Sequence, residues 1–176
     1  MKKALFVSLF LLAAENMMAK SFYDLKAIKA GGKELMFSQF QGKAFLVVNT
    51  ASQCGYTPQY EGLETLHKKY EKAGLVVLAF PSASFKQEPL AGEDLSQFCK
   101  LKFGVTFPVL DRVDVTGAKK HPVFKYLTEE GKDKGEIQWN FEKFVLNRKG
   151  EVIARFPSKV IPDSPEVKKA LEVALK

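Results

Sequence analysis

Residues 44–74 read AFLVVN (44–49), TASQCGYT (50–57), Pro58 and then QYEGLETLHKKYEKAG (59–74), and this stretch decides the fold class. Ala44–Asn49 is a continuous apolar run, the pattern of a central strand covered on both faces. A polar loop follows it, and Pro58 stands where a helix can begin. Leu63, Leu66, His67 and Tyr70 recur at helical spacing, and Gly74 closes the helix. Leu75–Phe80 (LVVLAF) is a second buried strand. Strand, loop, helix, strand is the opening of an α/β layout.

Working outward, Phe22–Leu25 reads as a short strand, and Gly31-Gly32 turns the chain back. Leu95, Phe98, Cys99 and Phe103 mark a second helix face. Pro108–Leu110 reads as a short strand and Pro122–Leu127 as a helix. Phe141–Leu146 and Val152–Phe156 flank Asn147-Arg148-Lys149-Gly150, a hairpin turn. Ser164-Pro165 starts the last helix, with Val167, Leu171 and Leu175 on one face. No repeat, low-complexity tract or linker interrupts this order.

Composition narrows the function. The 176 residues suit one domain, and 46% hydrophobic with 27% charged residues excludes a disordered chain. The net charge of +7 is spread along the chain, with no basic-aromatic stripe, so nucleic acid is not expected as a partner. Fifteen Phe against one Trp predict a Phe-rich core. Cys54, His67, Cys99 and His121 lack the close paired spacings of zinc sites, so no metal or cofactor is expected.

Lys2 and Lys3 precede an apolar run from Ala4 to Ala14, and Ala19 follows shortly after. A positive start, a short apolar stretch and then a small residue make the layout of a secretory signal. The run is too short to span a bilayer. Residues 1–19 are therefore expected to direct export, to the periplasm or beyond, leaving 20–176 as one domain. The competing readings are an N-terminal helix or an interfacial anchor, with the protein cytoplasmic if residues 1–19 are no signal.

The chemistry begins at Cys54. Placed after a buried strand and before a helix, its thiol would face unpaired N–H groups and the positive end of the helix dipole, which favour the nucleophilic thiolate. The thioredoxin fold carries its C-x-x-C motif in the same place, but here the fourth position is Thr57. Cys54 thus has no local disulfide partner, which counts against a dithiol oxidoreductase. The other reading is a buried, inert cysteine.

Three segments extend this. VVNTASQCGYTPQYEGLETLHKKY (47–70), FPSASFKQEP (80–89) and WNFEKFVLNRKGEVIARF (139–156) resemble the glutathione peroxidase family, and the resemblance covers nearly all of residues 20–176. It implies a thioredoxin-like fold with a central mixed sheet flanked by helices, and reduction of hydrogen peroxide and organic or lipid hydroperoxides. It also implies a four-residue site. Cys54 matches the peroxidatic position, Gln87 the family glutamine, and Trp139 and Asn140 the W-N pair. These types suit the reaction: an indole N–H and two amides can donate to a departing oxygen without repelling a thiolate. The middle segment departs from the family's CNQF, reading Ser82-Ala83-Ser84-Phe85, and is one residue shorter before Gln87.

Cys99, in EDLSQFCKLKFGVTFP (93–108), matches the resolving cysteine of thioredoxin-dependent members. The resemblance then implies a Cys54–Cys99 disulfide reduced by a thioredoxin-like dithiol protein, with the Cys99 helix loosening to allow it. A core cysteine beside Phe98 and a permanent structural disulfide remain alternatives. The short segment 126–139 (YLTEEGKDKGEIQW) resembles the monomeric branch of the family, whose open site accepts bulky lipid hydroperoxides. The many lysines suit either an anionic lipid surface or a solvated face. The competing functions are a redox sensor or relay, a glutathione-dependent one-cysteine peroxidase, and a thioredoxin-type oxidoreductase.

Overall fold

The structure is a computed structural model that describes residues 21–131 and 133–176. The expected export segment, residues 1–19, lies outside the described residues. A four-stranded mixed sheet forms the centre. Its strands are β3 (Ala44–Thr50), β4 (Leu75–Pro81), β5 (Lys143–Leu146) and β6 (Val152–Phe156), in the order β4-β3-β5-β6. β3 runs parallel to β4 and antiparallel to β5, and β5 runs antiparallel to β6. A separate hairpin pairs β1 (Lys26–Ile28) with β2 (Glu34–Met36). The helices are α1 (Gln59–Tyr70), α2 (Gly92–Phe103), α3 (Pro122–Glu129) and α4 (Pro165–Ala174).

All seven residues of β3 are buried, as the unbroken apolar run predicts. Alternation along the strand divides the core in two. Ala44, Leu46 and Val48 join an apolar cluster with residues of α1, α2 and α4. Phe45 and Val47 face a second cluster with Phe22, Phe37, Phe124 and Phe144. The Phe-rich core expected from composition is this second cluster, where Phe22 packs on Phe37 and Phe45 with ring centroids 5.0 and 4.9 Å apart.

Two expected strands differ. Phe22–Leu25 is not a strand: Phe22–Asp24 is a single 3₁₀ turn, and the strand begins at Lys26. Phe22 and Tyr23 both bury into the same cluster, whereas a strand would send them to opposite faces. Ser21 accepts the Tyr23 N–H and caps the turn. Pro108–Leu110 makes only isolated bridges, Val109 to Ala79 and Leu110 to Lys29. Pro108 has no N–H to continue a ladder. The segment nonetheless joins the two sheets, because Leu110 N–H donates to Ala79 and Asp111 N–H to Ile28. The 3₁₀ extension of α1 ends at Gly74, whose φ of +103° is the left-handed closure expected there.

Candidate active site

β3 delivers the chain to the loop Ala51–Pro58, and that loop is closed by its own polar groups. Thr57 N–H donates to the Cys54 carbonyl at 3.0 Å. The Thr57 hydroxyl accepts the Cys54 N–H at 3.0 Å and has the carbonyls of Cys54 and Ala51 within 2.8 Å for its own proton. Thr57 is therefore more than a missing second cysteine: it fixes the backbone on which Cys54 stands. Successive turns through Pro58 carry the chain into α1. The Cys54 thiol is free and almost buried, 8% exposed, and its Sγ accepts the Tyr56 N–H at 3.4 Å.

The other expected residues connect to this loop through Gln87. Gln53 N–H donates to the Gln87 carbonyl at 3.0 Å, tying Gln87 to the residue before Cys54. Asn140 Nδ2 donates to Gln87 Oε1 at 2.9 Å, while Asn140 itself is fully buried with Oδ1 unpartnered. Trp139, next along the chain, is 41% exposed and packs on Phe85 with ring centroids 5.2 Å apart. The shortened segment before Gln87 closes as a turn. Ser82 Oγ accepts the Ser84 N–H, Ser84 Oγ accepts the Val115 N–H, and Lys86 N–H donates to Ala83. Lys86 takes a left-handed φ of +58°, uncommon for a residue other than glycine. The altered SASF segment thus still delivers Gln87 to Asn140.

Residues that sequence reasoning passed over hold this arrangement. Asn49, buried at the end of β3, donates to the Trp139 carbonyl at 2.9 Å and accepts the Glu142 N–H at 3.0 Å. Its carbonyl accepts the N–H of Phe141, which sits at a φ of +65°. Such a backbone persists only where its surroundings over-determine it. Glu88, 2% exposed, accepts the N–H and hydroxyl of Ser52 at 2.8 and 2.6 Å, clasping the Cys54 loop to the entrance of α2. Burial pushes its carboxyl above the ordinary range, against the pull of the Ser52 and Leu90 hydrogen bonds. The signal for both was a polar residue inside an otherwise apolar or turn-forming run.

Cys99 lies on α2 in the same apolar cluster as Cys54; both are free thiols, and Cys99 is fully buried. Burial raises its thiol to about 11; the Tyr60 hydroxyl beside it lowers it and the nearby Glu88 carboxylate raises it further. Tyr60 donates to Thr50 Oγ1 at 2.7 Å. An open groove of about 520 Å³ adjoins the loop, lined by Tyr56, Gln138, Glu142, Arg155, Ser158 and Lys159 among others. Among the described residues no group of three His, Cys, Asp or Glu side chains gathers to hold a metal ion.

Residues 22–128 match the glutathione peroxidase family model. The glutathione peroxidase-like peroxiredoxin gpx1 of Schizosaccharomyces pombe is 47% identical over 148 residues, covering 82% of this chain and 94% of that protein. The hydroperoxy fatty acid reductase gpx1 of Synechocystis is 40% identical over 152 residues, covering 81% of this chain and 90% of that protein. The solved thiol:disulfide interchange protein of Chlorobium tepidum, a thioredoxin family protein, superposes with a TM-score of 0.63 at 15% identity over 86% of this chain and 93% of that chain. That likeness is one of fold, and it makes the mixed sheet described above thioredoxin-like.

Proposed function

The chain belongs to the glutathione peroxidase family and is a thiol peroxidase, and we propose that Cys54 is its peroxidatic residue, with Gln87, Trp139 and Asn140 as donors and Cys99 as the resolving thiol. The observation that carries this is the loop between β3 and α1. It holds a free thiol against a backbone N–H, and the residue before that thiol is hydrogen-bonded to Gln87, whose side chain accepts from Asn140. The Cys54 thiolate attacks one oxygen of the hydroperoxide. The O–O bond breaks, the alcohol or water leaves with a proton, and Cys54 becomes a sulfenic acid. The amide and indole N–H groups stabilise the charge on the departing oxygen.

Cys99 then attacks the Cys54 sulfenic sulfur, a disulfide forms and water leaves. A thioredoxin-like dithiol reduces the disulfide and is itself oxidised. The step requires α2 to loosen, since Cys99 is fully buried within that helix. The small anchor of α2 supports this: it buries Leu95 and Cys99, whereas α1 buries six residues. Bulky lipid hydroperoxides fit this reading, supported by the half-exposed Trp139 and the open groove beside Tyr56. The short stretch between α3 and Trp139 supports a monomer. Export rests on Lys2, Lys3 and the apolar run 4–14, and its test is the N-terminal residue of the protein recovered from cells.

The decisive experiment adds one equivalent of hydroperoxide to the reduced protein and maps the cysteines by mass spectrometry. A Cys54–Cys99 disulfide is expected. A sulfenic or sulfinic acid on Cys54 with Cys99 still free would overturn the resolving role and favour glutathione or a direct protein partner as donor.

A further inference from the structure

Trp139 stands on a loop, and a half-exposed side chain on a loop keeps one orientation only if its backbone is held. Asn49 holds the Trp139 carbonyl. The N–H side is held by Glu142, three residues on. Its Oε1 accepts the N–H groups of Gln138 at 2.5 Å and Trp139 at 3.3 Å. Its Oε2 accepts from Nε and Nη2 of Arg155 at 2.9 and 2.7 Å. Both side chains are nearly buried, 4% and 11% exposed.

Arg155, on β6, uses its remaining donors on the same loop. Nη1 donates to the carbonyls of Gly135 at 2.9 Å and Asp133 at 3.2 Å, and Nη2 to that of Glu136 at 2.8 Å. All five N–H directions of the guanidinium are thereby occupied. The planar group also lies 5.1 Å from the centre of the Phe144 ring, packed on β5. The pair thus grips three carbonyls and two N–H groups across residues 133–139. A buried ion pair is a poor way to add stability, because an apolar pair of similar volume does as well. What the fork provides is direction, which an apolar contact cannot.

We propose that Glu142 and Arg155 are positioning residues for peroxide reduction: together they set the backbone of residues 135–139 and so the orientation in which the Trp139 indole meets the reacting oxygen. This rests on the reading of Trp139 as a donor. Neither side chain touches the reacting atoms; both act through the loop.

The test pairs Glu142→Gln with Arg155→Met in one protein, so that neither member of the pair is left charged without the other. Arg155→Lys, which keeps the charge and loses the fork, carries the same comparison should the double variant not fold. The rate of Cys54 oxidation by hydrogen peroxide is measured in each, alone and combined with Trp139→Phe. Trp139 is the only tryptophan of the chain, so its fluorescence and quenching by acrylamide report its placement directly. The neutral pair is expected to slow Cys54 oxidation about tenfold, within what a displacement on the order of 1 Å produces. Acrylamide should reach Trp139 more readily, and in the Trp139→Phe background the pair variant should cause no further loss. A wild-type rate in the pair variant, with Trp139→Phe slowed, overturns the positioning role alone. So does a full additional tenfold loss in the Trp139→Phe background. An unchanged rate in Trp139→Phe by itself overturns the donor reading and the positioning role with it.

Discussion

Cys54 and Cys99 share one apolar cluster but are held by opposite means. Cys54 sits on a loop whose backbone is fixed by Thr57, Glu88 and Gln87. The bonds that fix that backbone are polar and directional. Cys99 sits inside α2, a regular helix, yet the helix itself is lightly anchored: two residues are buried, and Leu101 on its outer side is 82% exposed. Phe98 and Phe103 pack on the cluster, with Phe103 stacked on Tyr60, and further restraints lie at the ends of α2. Gly92 N–H donates to Asp111, Arg112 donates to the Glu88 carbonyl, and Thr106 just beyond is held by Glu64. By burial α2 is more sparsely anchored than α1, and Phe98 and Phe103 add only partly buried contacts to the cluster.

The largest expected effect tests this contrast at the sulfurs. Cys54→Ser should lose peroxide consumption by at least about a thousandfold, as when a nucleophile is removed. Cys99→Ser should keep the rate of the first oxidation and stop after one turnover when thioredoxin is the donor. Steady-state assays beside single-turnover measurements separate the two; normal turnover of Cys99→Ser with thioredoxin would erase the distinction.

A smaller effect concerns the proton on Cys99. Burial raises its thiol from 9.0 to about 11 in the folded protein. Above pH 9 the unfolded chain gives up that proton while the folded protein keeps it. The stability contributed by the buried thiol is therefore complete below about 9 and falls as pH rises towards about 11. The whole effect is on the order of 3 kcal/mol. Urea unfolding of the wild type and of Cys99→Ala, compared across that window, reads this effect together with the part of the Tyr60 shift that Cys99 causes, which acts in the same direction. A flat difference would mean that Cys99 already meets solvent in the folded state.

The smallest effect lies on the Cys54 side alone. Lys86 holds a left-handed φ in the turn before Gln87. Lys86→Gly should relieve that strain, partly offset by the added freedom of the unfolded chain, for a net gain of about 0.5 kcal/mol. Thermal unfolding checks it, and a loss of stability would show that the lysine side chain contributes more than its backbone costs.

Much of this was legible in the chain. The strand–loop–helix order around Cys54, the α2 face bearing Cys99 and the hairpin at Asn147–Gly150 depend on apolar periodicity and turn residues among near neighbours. The 3₁₀ turn at Phe22–Asp24 was not legible, since two adjacent aromatics suit a strand equally well until the cluster that takes both is known. Nor were the clasps. Ser52 meets Glu88 across 36 residues and Asn49 meets Trp139 across 90. Glu142 and Arg155 are only 13 residues apart, but their pairing depends on the bulge between β5 and β6 and on the loop they enclose.

The sequence by itself determined the fold class, the family and the placement of each cysteine on its loop or helix, because each is written in local pattern. Only the tertiary structure decided which residues meet: that Asn140 turns its amide to Gln87, that Glu142 and Arg155 close on the Trp139 loop, and that Cys99 lies sealed beside Tyr60. The reason is physical. Burial and periodicity act through neighbours along the chain, whereas a hydrogen bond across the fold forms only within a few tenths of an ångström and a narrow range of angles. That precision exists only once every loop has its place.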